Sequence, residues 1–318
     1  MKRKTSYTPL AGISLKQLRA LVATIEEGSN AAAAQRLNVT PPAIALQLKL
    51  LEQAVEMPLF DRFGQNIRPT AAGRELLAAA ARIEVALSDC SAALGTMHGG
   101  AGGRIGVGVV STAKYFAPRA FAAFARSHPG VEIDLFVGNR AEVIGEFESL
   151  GRDIVIMGRP PDGFDLVRAP IGPHPHVVIA APDHRLAGRR NIRLESLSGE
   201  KWVVRENGSG TRSLMERVFD EARITPTLGM EIMSNETIKQ AVMAGLGVAF
   251  LSAHTIELEL KAGLLTILDV RGLPAMREWF AVRRAGKRLL PAAEELWSYL
   301  TTRGDDFLPR IPTNPTKG

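Results

Sequence analysis

Residues 208–212, Gly-Ser-Gly-Thr-Arg, follow an apolar strand pattern from Trp202 to Arg205 and open a helical one. There the free N–H groups of a first helical turn and the helix dipole converge on any anion, and an arginine adds a full charge. Gly208, Ser209, Gly210, Thr211 and Arg212 therefore offer anion binding, although the same five residues also make an ordinary N-cap turn. No Gly-Lys-Ser or Gly-Lys-Thr closes the loop, so it is not a Walker phosphate loop. Three more pairs stand where a strand pattern ends: Ser111 and Thr112, Asn139 and Arg140, Gly158 and Arg159. Open α/β sheets bind ligands at such ends, and routine capping is the competing use.

A second set of residues suits a polyanionic surface. Thr40, Pro42, Ala43, Leu46, Gln47 and Lys49 lie on a short helix that turns Pro42, Leu46 and Lys49 outward, and Arg62 and Arg68 flank the Gly-Gln-Asn turn of an extended hairpin. A helix of this kind followed by a wing enters a DNA major groove while the wing touches the backbone. A three-helix bundle without that role has the same pattern.

Other constellations carry less. His174 and His176 could face one side of a strand, but no third metal ligand lies nearby in sequence. Gly103, Gly106 and Gly108 fall at the start of a strand and not in the turn after it, which excludes a dinucleotide fingerprint. Gly245 and Gly247 suit close helix–strand packing better than ligand contact. Neither a Gly-x-Ser-x-Gly elbow nor a His-Glu-x-x-His helix is present. The expectation is a protein that is not an enzyme, with no catalytic residue, no cofactor and no metal.

The elements that must position these residues follow from periodicity. Ser14 caps a helix with apolar residues at 15, 18, 22 and 25 and Gly28 at its end; Ser29 caps an Ala-rich helix to Leu37. A third helix starts at Thr40 with Pro41 in its first turn, burying Ile44, Leu48, Leu51 and Val55 and turning Pro42, Leu46, Lys49 and Gln53 outward. Thr70 caps a helix to about Met97, roughly 42 Å long. Along it Leu76, Ala80, Ile83, Leu87, Cys90, Leu94 and Met97 alternate steps of four and three, the seam of a helix that pairs with another. Residues 99–103 are four glycines and an alanine, a flexible hinge. Beyond them apolar strands alternate with helices, which predicts mostly parallel sheets.

The predicted fold class is α/β with an N-terminal all-α winged helix-turn-helix, a long linker helix and a two-lobed effector domain like a periplasmic binding protein. The expected boundaries are 1–69, 70–98 and 99–303, with lobe 1 at 104–172 and 280–303, lobe 2 at 173–279, and a disordered tail from 304.

Composition narrows the class. The chain has 318 residues, 46% hydrophobic and 23% charged, with a net charge of +6. Those proportions are globular and the charge suits an anionic partner. One cysteine excludes an intramolecular disulfide, and no signal-peptide pattern or membrane span is visible, which points to the cytoplasm.

The segment AAAAQRLNVTPPAIALQLKLLEQAVEMPLFDRFGQNIRPTAAG resembles the DNA-binding domain of LysR-type transcriptional regulators. VGNRAEV, DIVIMGRPP, GPHPHVVIAAPDHRLA, RENGSGTR and SNETIKQAVMAGLGVAFLSAHT are similar to the CbbR subfamily, which controls Calvin-cycle carbon-fixation operons. This resemblance implies operator DNA with dyad symmetry, a homodimer through the linker helix assembled into a homotetramer, and an effector in the interlobe cleft. The implied effector is a small anionic metabolite: a phosphorylated sugar, a glycolytic acid or a nicotinamide nucleotide. The chain departs from the family at Asn30-Ala31-Ala32, where Phe-Thr-Arg is usual, and at Pro41 and Ala45, where glutamine and serine are common. A LysR-type regulator of another operon, a constitutive DNA-binding protein and a solute-binding protein remain as alternatives.

Overall fold

The computed structural model describes residues 12–63, 66–97, 103–148 and 151–311. It divides into two compact units at Ser91/Ala92. The arm before Gly12, the wing tip at residues 64 and 65, and residues 98–102 of the glycine hinge lie outside the described residues.

The first unit contains α1 (Leu15–Glu27), α2 (Asn30–Arg36) and α3 (Pro41–Val55), then the antiparallel hairpin β1 (Phe60–Phe63) and β2 (Asn66–Pro69), then α4 (Ala71–Met97). Ser14 and Gln17 form a reciprocal capping box, Gly28 ends α1 in the left-handed conformation, and Ser29 caps α2. Thr40 opens α3 without a side-chain cap bond. Leu18 and Leu21 of α1, Ala33 and Ala34 of α2, and Ile44, Leu48 and Leu51 of α3 bury one another. Arg19 holds Glu84 through two hydrogen bonds, 2.5 and 3.0 Å, tying α1 to α4.

The predicted seam of α4 divides. Leu76 and Ala80 are buried in the core of the first unit, whereas Ile83, Leu87, Cys90 and Leu94 are exposed, Leu94 at 51%. The uncovered stripe therefore starts at Ile83 and not at Leu76, because the winged unit itself covers α4 as far as Ala80. The Met97 side chain lies outside the described residues.

In the second unit, β3 (Gly103–Val110), α5 (Ala117–Ser127), β4 (Val131–Gly138), α6 (Arg140–Glu148) and β5 (Ile154–Met157) build one lobe. The 15-residue β6 (Leu166–Ala180) leaves it for the other, which contains β7 (Lys201–Arg205), α7 (Gly210–Glu221), β8 (Thr227–Ile232), α8 (Asn235–Met243), β9 (Ala249–Ser252), α9 (Glu257–Lys261) and β10 (Thr266–Leu268). β11 (Ala275–Arg284) returns, and α10 (Pro291–Arg303) packs on the first lobe. The main sheet runs β10-β6-β11-β5-β3-β4, with β9 also on β6. β7 pairs with β8, and backbone bonds between β7 and Val248 tie that pair to the residue before β9.

The sheets are mixed, which corrects the expectation of mostly parallel ones. β3 lies parallel to β4 and β5, but β11 runs antiparallel to β5 and β6, and β6 antiparallel to β9 and β10. One chain must cross out along β6 and come back along β11, so the two crossing strands oppose each other. The tail also differs from expectation: residues 304–307 form a 3-10 turn, Leu308 is buried in the lobe 1 core, and Ile311 packs on lobe 2. Apolar side chains at 307, 308 and 311 are what hold it; residues 312–318 lie outside the described residues.

Candidate functional site

On the first unit, α3 presents Pro42, Leu46, Lys49 and Gln53 to solvent, with Leu46 54% exposed, while Ala43 and Gln47 are half-buried. Thr40 is exposed at the helix start, and Arg68 is exposed on β2 opposite Asp61. The Arg62 side chain lies outside the described residues. Val39 and Leu50 extend the apolar character of this face at 47% and 41% exposure. Surface of this kind can meet thymine methyls, while Lys49 can reach a phosphate.

The second site lies between the lobes of the second unit. A cavity of about 30 Å³ is bordered by Ser111 and Thr112 after β3, Asn139 and Arg140 at the start of α6, and Gly158 and Arg159 after β5. Ser209, Gly210 and Thr211 close it from the start of α7. It has room for a water molecule or two. Nine of the eleven residues singled out in the sequence thus border one space, contributed by four strand ends.

Gly208 and Arg212 are the two that do not. The Gly208 carbonyl accepts from the Ala141 N–H at 3.3 Å, and with φ at +88° its missing Cβ would lie 3.2 Å from that of Ala141. It serves close approach of the lobes. Arg212 points elsewhere: its Nε donates to Glu216 at 2.5 Å and its Nη1 to the Arg205 carbonyl at 3.1 Å. In this arrangement an acidic residue one helical turn on holds the side chain along α7, away from the cavity border.

Sequence reasoning missed Arg205 and Arg277 and weighed His174 and His176 only as metal ligands; all four also border the cavity. Arg205 is buried at the end of β7, bidentate to Glu206 at 2.7 and 2.9 Å, and donates to Asn235 Oδ1 at 2.7 Å. It also reaches across to Ser111 Oγ at 3.2 Å. Arg277 on β11 faces His174 on β6 in strand register. The signal for Arg205 was its place at a strand end, the same rule that picked Ser111 and Gly158. Gly247 keeps its packing role: a Cβ there would meet the Lys201 carbonyl at 2.1 Å.

The electrostatics favour an anion. Burial, with Arg159 beside it, lowers the Arg140 guanidinium from its ordinary value. Glu206 balances Arg205, Asp162 lies 3.3 Å from Arg159, and among the described residues Arg277 has no acidic partner. The α7 start adds free backbone donors. Three histidines meet at the cavity, His174 and His176 in its wall and His254 behind them: His174 stacks on Trp279 with centroids 3.6 Å apart, and Trp279 Nε1 donates to His254 Nδ1 at 3.0 Å. Burial pushes His174 well below its usual value and His176 and His254 down to about 4, so all three are neutral near pH 7. Among the described residues, no group of His, Cys, Asp and Glu is arranged to hold a metal ion. None of the described helices is long and apolar enough to cross a membrane.

A winged helix-turn-helix followed by a long helix and a two-lobed α/β unit with a polar interlobe cavity defines a ligand-responsive transcriptional regulator. Residues 15–74 match the bacterial regulatory helix-turn-helix protein, lysR family, and residues 98–305 match the LysR substrate binding domain. The chain belongs to the LysR family of transcriptional regulators. It is 50% identical over 301 residues to the HTH-type transcriptional regulator CbbR of Xanthobacter flavus, covering 94% of this chain and 90% of that one. It is 42% identical over 281 residues to the RuBisCO operon transcriptional regulator of Allochromatium vinosum, covering 88% and 93%. Among solved structures, the CcmR regulatory domain of Synechocystis PCC6803 in complex with 2-PG is 38% identical, with a TM-score of 0.61 over 63% of this chain and 96% of that one. Full-length CbnR, solved with its target DNA, shares the fold at a TM-score of 0.67 and 19% identity, covering 90% and 98%.

Proposed function

We propose that the protein is a cytoplasmic regulator of carbon-fixation genes whose promoter binding responds to a small anionic metabolite, and that it is not an enzyme. The winged unit, residues 1–69, reads DNA through α3 and the wing. Residues 70–98 pair two chains, and 99–303 bind the effector between the lobes. The convergence of Ser111, Thr112, Asn139, Arg140, Gly158, Arg159, Ser209, Gly210 and Thr211 on one cation-rich cavity carries the effector reading. The names of the CbbR and RuBisCO-operon relatives support the carbon-fixation target. The 2-PG bound by the CcmR regulatory domain supports a small anion.

The mechanism is linkage. A cavity of about 30 Å³ cannot enclose a metabolite, so the lobes part to admit one and close on it in a new arrangement. A ligand that prefers one lobe arrangement shifts how paired chains present their recognition helices, by no more than its differential affinity. In this reading two chains join along Ile83, Leu87 and Leu94 and bind an operator of dyad symmetry, and two such dimers form a tetramer. Footprinting of carbon-fixation promoter DNA with and without 2-PG tests the proposal. An effector-dependent change in protection is expected; protection indifferent to every small anionic metabolite overturns it in favour of constitutive binding.

A further inference from the structure

One buried nitrogen in the cavity wall has nothing to bond. His174 is 4% exposed, and among the described residues its Nδ1 has no hydrogen-bond partner, whereas its Nε2 lies 3.0 Å from Ser252 Oγ. Buried polar atoms are almost always satisfied, and one left open beside a cavity marks a place where a ligand or water completes the bonding. The residue facing that nitrogen is Gly158, where a Cβ would fall 2.7 Å from Nδ1. Any other residue at 158 would press its Cβ against that nitrogen, where glycine sets only its backbone.

The ring cannot swing away to find another partner. Trp279 stacks on it at 3.6 Å, His176 lies 4.2 Å from it, and Ser252 fixes its far nitrogen. We propose that His174 Nδ1 is the specificity contact of the interlobe cavity. Its ligand is a small anion carrying, away from the group held by Arg140, Arg159, Arg277 and the α7 start, a second oxygen that hydrogen-bonds the imidazole. The class is phosphorylated acids and hydroxy-acids, not simple inorganic anions.

The Ser252 pair lets one imidazole serve either kind of oxygen. Among the described residues Ser252 Oγ is bonded only to His174, so the hydroxyl accepts from Nε2–H or donates to bare Nε2. In the first case Nδ1 accepts from a ligand hydroxyl; in the second Nδ1–H donates to a ligand carboxylate. Because burial keeps the ring uncharged, the contact selects on geometry and adds no further cation to a site that already holds several.

This inference rests on the effector reading above, and one titration set separates the two. Full-length wild type, His174→Gln, His174→Asn and Ser252→Ala are titrated calorimetrically with 2-PG and with inorganic phosphate, and their thermal unfolding is recorded. Glutamine keeps a group at Nε2 and loses Nδ1; asparagine places its amide at Nδ1. His174→Gln is expected to weaken 2-PG roughly tenfold or more. His174→Asn should recover most of that loss, and phosphate affinity should be the same in all four chains. Equal 2-PG affinity in wild type and His174→Gln overturns the proposal, showing that water serves Nδ1. A parallel loss of 2-PG, phosphate and thermal stability in both His174 variants overturns it in favour of packing. Failure of wild type to bind 2-PG or any other phosphorylated acid overturns the effector reading itself, and the His174 assignment with it.

Discussion

Ser111 Oγ, at the end of β3 in one lobe, accepts a hydrogen bond from Arg205 Nη2, at the end of β7 in the other, across 3.2 Å. Asn235 reinforces the pair, donating to the Ser111 carbonyl at 3.4 Å while it accepts from Arg205 at 2.7 Å. Since Glu206 neutralises the guanidinium, the lobes are joined by polar contacts that bring no unbalanced charge into the closed cavity. Ser111→Ala should cost about 1 kcal/mol of the closed arrangement. Small-angle scattering should then show a larger radius of gyration for the variant, and identical profiles would remove Ser111 as a clasp.

Arg205 and Arg212 should respond differently to removal. Arg205→Ala strands the buried Glu206 carboxylate, a loss of about 3–5 kcal/mol in folding stability for a buried pair broken on one side. Arg212→Ala frees the half-exposed Glu216 and leaves the Arg205 carbonyl without its donor, a smaller loss of about 1–3 kcal/mol, and should leave anion affinity within about threefold of wild type. Denaturant unfolding and calorimetry with 2-PG measure the two effects.

The exposed stripe on α4 predicts where chains meet. Ile83→Lys places a charge among Ile83, Leu87 and Leu94 and should lower the dimer fraction in sedimentation, with each chain still folded because Ile83 lies outside the winged core. An unchanged mass distribution would exclude this stripe as the contact.

On α3, Lys49→Ala should weaken binding to all DNA sequences alike and reduce the slope of log affinity against log salt by about one. Leu46→Ala should instead weaken binding chiefly where thymine occurs in the operator and leave the salt slope intact. The reverse pattern in filter or mobility assays across salt would show that the two residues have exchanged roles.

The neutral histidines set an acid limit on the effector unit. In the unfolded chain a histidine protonates near pH 6.5, whereas folded His176 and His254 hold out to about pH 4 and His174 also titrates well below its usual value. Between those values the unfolded state binds more protons, so stability is complete above pH 6.5 and falls as pH drops. Each histidine removes about 1.4 kcal/mol per pH unit in that window. Melting from pH 7.5 to 4.5 should show the loss, and His176→Gln should flatten it.

Much of this architecture was legible in the chain, and the misses have local causes. Ser14, Ser29, Thr70 and the 3.6-residue rhythm specify the winged unit because every signal there is short-range. Strand ends located Ser111, Asn139 and Gly158 for the same reason. Glu216, four residues on, marks the partner that holds Arg212 along α7. The role of Arg205 depends on Ser111 and Asn235, both far away in sequence, and His174 needs Ser252 and Gly158 before its free nitrogen means anything. The division of the α4 stripe was hidden likewise, since a heptad pattern does not say whether its partner is a second chain or the same one.

The position of β11 between β5 and β6 has a genetic consequence. The winged unit closes on residues that leave the ribosome early, but lobe 1 cannot complete its sheet until Ala275–Arg284 has been synthesised. A stop codon between β10 and β11 would release a chain with an intact reading head and a ruined first lobe. Beside a normal allele, such a fragment would still pair through α4 and occupy operators without hearing the metabolite, so truncations in this interval should behave as dominant alleles, whereas those within α1–α3 should be recessive.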